Sequence, residues 1–69
     1  MDREAVSSSN IASVGYDESS GVLEIEFLNG AVYEYFDVPA QLYADFRAAA
    51  SLGVFLNSQI RNRFRYQRI

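Results

Sequence analysis

Cysteine and histidine are both missing from the 69 residues of this chain. Without thiols there can be no disulfide and no thiolate metal site, and without imidazole the commonest general base and zinc ligand are gone. Lysine is missing too, so all six basic residues are arginine. Arginine's planar fork matches phosphate and carboxylate, although a genome that favours arginine codons produces the same composition. No stretch of about eighteen apolar residues occurs that could span a bilayer. The N-terminal region holds Asp2 and Glu4 and lacks an apolar run of signal-peptide length. A cytoplasmic protein without membrane attachment is the expectation.

What is present is enough to fold. With 49% hydrophobic and 14% aromatic residues the chain lies above the apolar content of disordered segments, and no metal or cofactor is expected. A domain of this size buries only about 60% of the surface its unfolded form exposes, which limits it to one core and makes self-association a common source of extra stability. Charge is sorted along the chain. All nine acidic residues lie at or before Asp45 with Arg3 as the one base among them, whereas Arg47, Arg61, Arg63, Arg65 and Arg68 follow with no acid.

Met1 to Ser9 is polar and ends in Ser7-Ser8-Ser9, so residues 1–9 are expected to be a loose lead-in and 10–69 a single domain. Ile11 to Asp17 reads as a strand, and Asp17-Glu18-Ser19-Ser20-Gly21 as a turn. Val22 to Phe27 then alternates Leu23, Ile25 and Phe27 with Glu24 and Glu26. Asn29-Gly30 signals a reversal into a strand over Ala31 to Phe36. A two-residue loop would set Ile25 opposite Glu34 and push a carboxylate toward the core, at high cost. A three-residue loop, Leu28-Asn29-Gly30 with Gly30 left-handed, instead pairs Phe27 with Ala31, Ile25 with Tyr33 and Leu23 with Tyr35. Glu24, Glu26 and Glu34 then all face water, and this register is the expectation.

Pro39 opens a helix over Ala40 to Ala50 with Asp37 or Val38 as cap; Leu42, Phe46 and Ala49 face inward, and Gly53 ends it. A second helix is read from about Val54 to near Phe64, with Leu56, Ile60 and Phe64 as its buried stripe. The expected class is α+β, a three-stranded antiparallel sheet in the order β-β-β-α-α with both helices on one face.

Ser9-Asn10-Ile11, Val14-Gly15-Tyr16-Asp17, Leu23 to Phe27, Tyr33-Glu34-Tyr35, Val38-Pro39, and Ser51 to Asn57 followed by Ile60-Arg61 together resemble the KTSC domain, from about residue 7 onward. That small bacterial module is named for the C-terminus of some lysyl-tRNA synthetases and also occurs as a short free-standing protein. The resemblance implies an uncharacterised domain without assigned catalytic residues, and RNA as a ligand class through the synthetase context. Leu56 stands where the family often has an aromatic, which weakens any stacking role at that position.

Two surfaces are candidates for function. Arg61, Arg65 and Arg68 follow helical i, i+4, i+7 spacing, with Arg63 turned elsewhere and Tyr66 interleaved, a pattern suited to phosphate contact and base stacking. The same arginines also suit a solvated helix face that complements its own dipole. Alternatively the chain is a protein interaction module: the outer sheet face, with Val32 and Phe36 beside Glu24, Glu26 and Glu34, would dock the basic tail of a second copy, giving a homodimer, or the basic tail would dock on an acidic protein partner. Tyr33 and Tyr35 have the spacing of an RNA-stacking platform, but the register turns them toward the helices as core residues. An enzyme is not expected, since Asp17 and Glu18, the nearest acidic pair, sit in an exposed turn where nothing raises a pKa or excludes water.

Overall fold

The computed structural model describes residues 1–69 and has the α+β class expected of the pattern. Its sheet has five strands rather than three, in the sequential antiparallel order β1 to β5. The strands are β1 (Glu4–Ala5), β2 (Ile11–Asp17), β3 (Val22–Phe27), β4 (Val32–Tyr35) and β5 (Tyr66–Arg68). Helix α1 (Ala40–Ala48) and helix α2 (Leu52–Phe55, continued by a π-helical stretch Leu56–Ile60) lie between β4 and β5 in the chain.

The β3–β4 hairpin adopts the register that keeps glutamate off the core. Leu23 faces Tyr35 and Ile25 faces Tyr33, while Glu24 faces Glu34. Gly30 has φ +92°, a left-handed value that glycine alone reaches without strain, and its N–H donates to the Phe27 carbonyl at 2.9 Å. Between β2 and β3 the ladder shifts at Ala12, so Ile11 and Val14 both point inward although three positions apart.

Nine side chains form the core, among them Ile11, Val14, Leu23, Ile25, Phe46, Leu56 and Ile60, each at most 1% exposed. Burial of an aliphatic side chain this complete contributes roughly 1.5–3 kcal/mol. Leu42 and Phe64, expected inside, are half-buried and pack against this cluster.

Several boundaries differ from those expected. The first residues are not loose, because Glu4 and Ala5 pair with Val14 and Ser13 as an edge strand. Pro39 itself, not Asp37 or Val38, is the cap of α1, and Asp37 takes a left-handed φ of 60° instead. Gly53 does not end α1, which stops at Ala48; it is buried inside α2, where an added Cβ would sit 2.5 Å from the Asn10 Oδ1. Ser51 caps α2 by accepting from the Val54 N–H at 3.3 Å. The helix ends at Ile60 and not near Phe64, so the arginine stripe of a continuing helix does not exist. The chain turns and returns as β5, with Tyr66 opposite Tyr35 and Arg68 opposite Tyr33.

Candidate functional site

Strand alternation sorts the terminal residues between two faces of the sheet. Tyr66 and Arg68 share the helix-side face with Tyr33 and Tyr35, whereas Gln67 lies opposite Glu34 on the other side. The helices do not reach far enough to cover this edge. A cleft of about 430 Å³ remains open between β4, β5 and the end of α2, and its walls include Tyr33, Tyr35, Tyr66, Arg61 and Arg68.

The three tyrosines form one cluster. Ring centroids lie 6.5 Å apart for Tyr33 and Tyr35, 5.6 Å for Tyr33 and Tyr66, and 5.9 Å for Tyr35 and Tyr66. Tyr35 is buried at 3% exposure, as expected of a core residue, but Tyr66 keeps 57% of its surface open. Burial pushes the Tyr35 phenol above its ordinary value; nearby Arg61 opposes that shift, and the Tyr33 and Tyr66 phenols reinforce it.

The polar wall is built locally. Arg61 donates to the Asn57 Oδ1 at 3.3 Å, one turn back along the helix. The π-helical turn that carries them is closed by the Arg61 N–H donating to the Leu56 carbonyl five residues earlier, at 2.8 Å. Asn29 accepts from the Ala31 N–H at 3.0 Å, which fixes the hairpin loop at the mouth of the cleft. Asn10 enters from the other side, its Oδ1 accepting from the Ser8 hydroxyl at 3.1 Å. Asn10 and Asn57 came from two separate segments of the family resemblance, and the cleft is where they meet. Neither was read as a functional residue from the sequence, because their proximity depends on the helix returning across the sheet.

No carboxylate lines this cleft. Arg61, Arg63 and Arg68 make no ion pair, while Arg3, Arg47 and Arg65 are paired with Glu24, Glu4 and Asp37. The expected arginine group is therefore divided. Arg61, Arg68 and Tyr66 come together in the cleft; Arg65 lies on the opposite face, 3.3 Å from Asp37 and 5.5 Å from the Phe36 ring centroid, with Arg63 beside it.

The outer sheet face does gather Glu24, Glu26, Val32, Glu34 and Phe36, but not as a fully wet acidic surface. Glu24 is buried at 7% exposure beneath Arg3, with the two groups 2.9 Å apart. Glu26 accepts from the Ser13 hydroxyl at 2.8 Å and Glu34 from the Gln67 amide at 3.1 Å. Gln67 belongs to the missed strand β5 and Arg3 immediately precedes the missed strand β1, which is why Glu24 and Glu34 read as bare from the sequence. No helix is long and apolar enough to cross a membrane.

The geometry defines a miniature α+β domain, a meander sheet with two helices on one face and an aromatic, arginine-lined cleft at its edge. The chain belongs to the KTSC domain family, which matches residues 7–64. It is 40% identical over 62 residues to a protein from Tsukamurella paurometabola, covering 90% of this chain and 92% of that one. The crystal structure of a KTSC domain protein from Yersinia pestis has TM-score 0.93 and 39% identity, covering 99% of this chain and 96% of its own. A lysine–tRNA ligase from Nostoc punctiforme is 36% identical over 59 residues, which are 86% of this chain and 10% of the ligase.

Proposed function

We propose that this chain is a binding module for single-stranded RNA and that the cleft receives the strand. The observation that carries the reading is Tyr66, largely exposed beside the unpaired Arg61 and Arg68 in a cleft free of carboxylates. A base stacks on an aromatic ring whatever its sequence, and guanidinium groups neutralise the neighbouring phosphates. The net charge of −3 opposes a polyanion in general, but Glu24, Glu26 and Glu34 stand on the far side of the sheet from this cleft. The presence of a KTSC segment in an enzyme named as a lysine–tRNA ligase supports the same ligand class.

Titration of fluorescently labelled single-stranded RNA at several salt concentrations tests the proposal. Binding is expected in the micromolar range at low salt. The two unpaired arginines of the cleft, Arg61 and Arg68, at phosphates give a log-log slope of about −1.4. Absence of binding at low salt, or affinity unchanged when Arg61 and Arg68 are both replaced by alanine, contradicts it.

A further inference from the structure

Three of the cleft's four asparagines, Asn10, Asn29 and Asn57, are oriented by the chain itself, while the Asn62 amide has no partner. Asn29 accepts from a backbone N–H and Asn57 from a guanidinium, and neither donor can act as an acceptor, so each amide oxygen is assigned without ambiguity. The Ser8 hydroxyl accepts from the N–H groups of Asn10 and Ile11, both at 3.3 Å, which leaves its own proton for the Asn10 Oδ1. In all three residues the oxygen is engaged and the amino group is the end left without a partner. Arg61 and Arg68 add guanidinium donors to the same walls, and no carboxylate there can accept. The tyrosine hydroxyls and the Asn62 amide can work in both directions. Amino and guanidinium donors therefore predominate over acceptors among the polar side chains around the stacking surface.

We infer that the cleft selects an unpaired guanine over adenine, reading the O6 and N7 edge of the base. That edge offers two acceptors and no donor, whereas adenine sets an amino group at the corresponding position and would point donor at donor. A bidentate contact to guanine O6 and N7 is also the arrangement an arginine fork fits best. At about 430 Å³ the cleft lies within the range of small-ligand sites, so one base and its phosphate are a suitable occupant. The inference rests on the RNA reading above and narrows it to one base.

Four labelled oligouridines of equal length, each carrying one central guanosine, adenosine, inosine or 7-deazaguanosine, form the test. Guanosine is expected to bind about fivefold or more tighter than adenosine. Inosine, which keeps O6 and N7, should match guanosine, and 7-deazaguanosine, which lacks N7, should fall toward adenosine. Asn57→Asp keeps an oxygen for Arg61 but replaces the free amino group with an acceptor, so it should shrink the guanosine-to-adenosine ratio even though added negative charge weakens both. Equal affinity for all four overturns the base preference while leaving RNA binding intact. Failure of all four to bind overturns both.

Discussion

Tyr66 stands directly opposite Tyr35 across the β4–β5 ladder, with ring centroids 5.9 Å apart. One ring is buried and the other open, so the pair joins the core to the surface. This contact folds the C-terminal segment back onto the sheet and brings Arg68 to the side where Arg61 already lies.

Tyr66→Ala should weaken single-stranded RNA binding between about fivefold and a hundredfold, the worth of one base stacked on an aromatic ring. Its effect on stability should stay within about 1 kcal/mol, because the residue is 57% exposed. Tyr66→Phe, which keeps the ring, should retain most of the affinity. Titrations of both variants beside urea unfolding separate the two effects, and unchanged affinity in Tyr66→Ala removes stacking from the account.

Arg3→Ala should cost more than Arg65→Ala, although each breaks one ion pair. The Arg3–Glu24 side chains are 29% and 9% exposed, whereas Arg65 and Asp37 are both 78% exposed. Losing Arg3 leaves a buried carboxylate without its cation, at about 1–3 kcal/mol, while an exposed pair is worth at most about 1 kcal/mol. Equal losses in chemical denaturation would show that Glu24 gains nothing from its cover.

The strands that were legible in the sequence are those with an unambiguous face. Leu23, Ile25 and Phe27 alternate with two glutamates, and the position of Glu34 then selects the hairpin register without reference to any other part of the chain. Strand β5 lacked such a signal. Tyr66-Gln67-Arg68 is too short to display alternation, and arginines at 61, 65 and 68 fit helical spacing equally well, so the basic tail read as a helix face. Local preference was overridden by backbone pairing to the open edge of β4. Gly53 misled for a related reason: its lack of a side chain serves contact with Asn10, distant in sequence, and not a helix end.

Gly53→Ala tests that last point by sign. Alanine inside a helix normally stabilises by about 1 kcal/mol over glycine. Here the new methyl would press on an Asn10 side chain tethered by Ser8, so a loss of about 1–3 kcal/mol is expected. Adding Asn10→Ala should recover part of it. A simple gain in stability from Gly53→Ala would mean that Asn10 moves aside freely.

Stability should decline in alkali. Burial raises the Tyr35 and Tyr16 phenols above 10.0, so the folded chain holds these protons more tightly than the unfolded chain does. The resulting stability is fully present below the unfolded value and is lost as pH rises through the folded one. Tyr16 would also lose the hydrogen bond its hydroxyl donates to the Val38 carbonyl. Urea unfolding between neutral pH and about pH 11 should show the decline, and Tyr35→Phe, which removes one titrating hydroxyl, should make it shallower. An identical slope in the variant rules out Tyr35 as a contributor.

Backbone amide shifts recorded by NMR while single-stranded RNA is added address the central claim most directly, since they locate contact residue by residue. The account requires the changes to concentrate on Tyr33, Asn57, Arg61, Tyr66 and Arg68. An unaltered spectrum at low salt, or shifts centred on Glu26, Val32 and Phe36 across the outer sheet face, would contradict it.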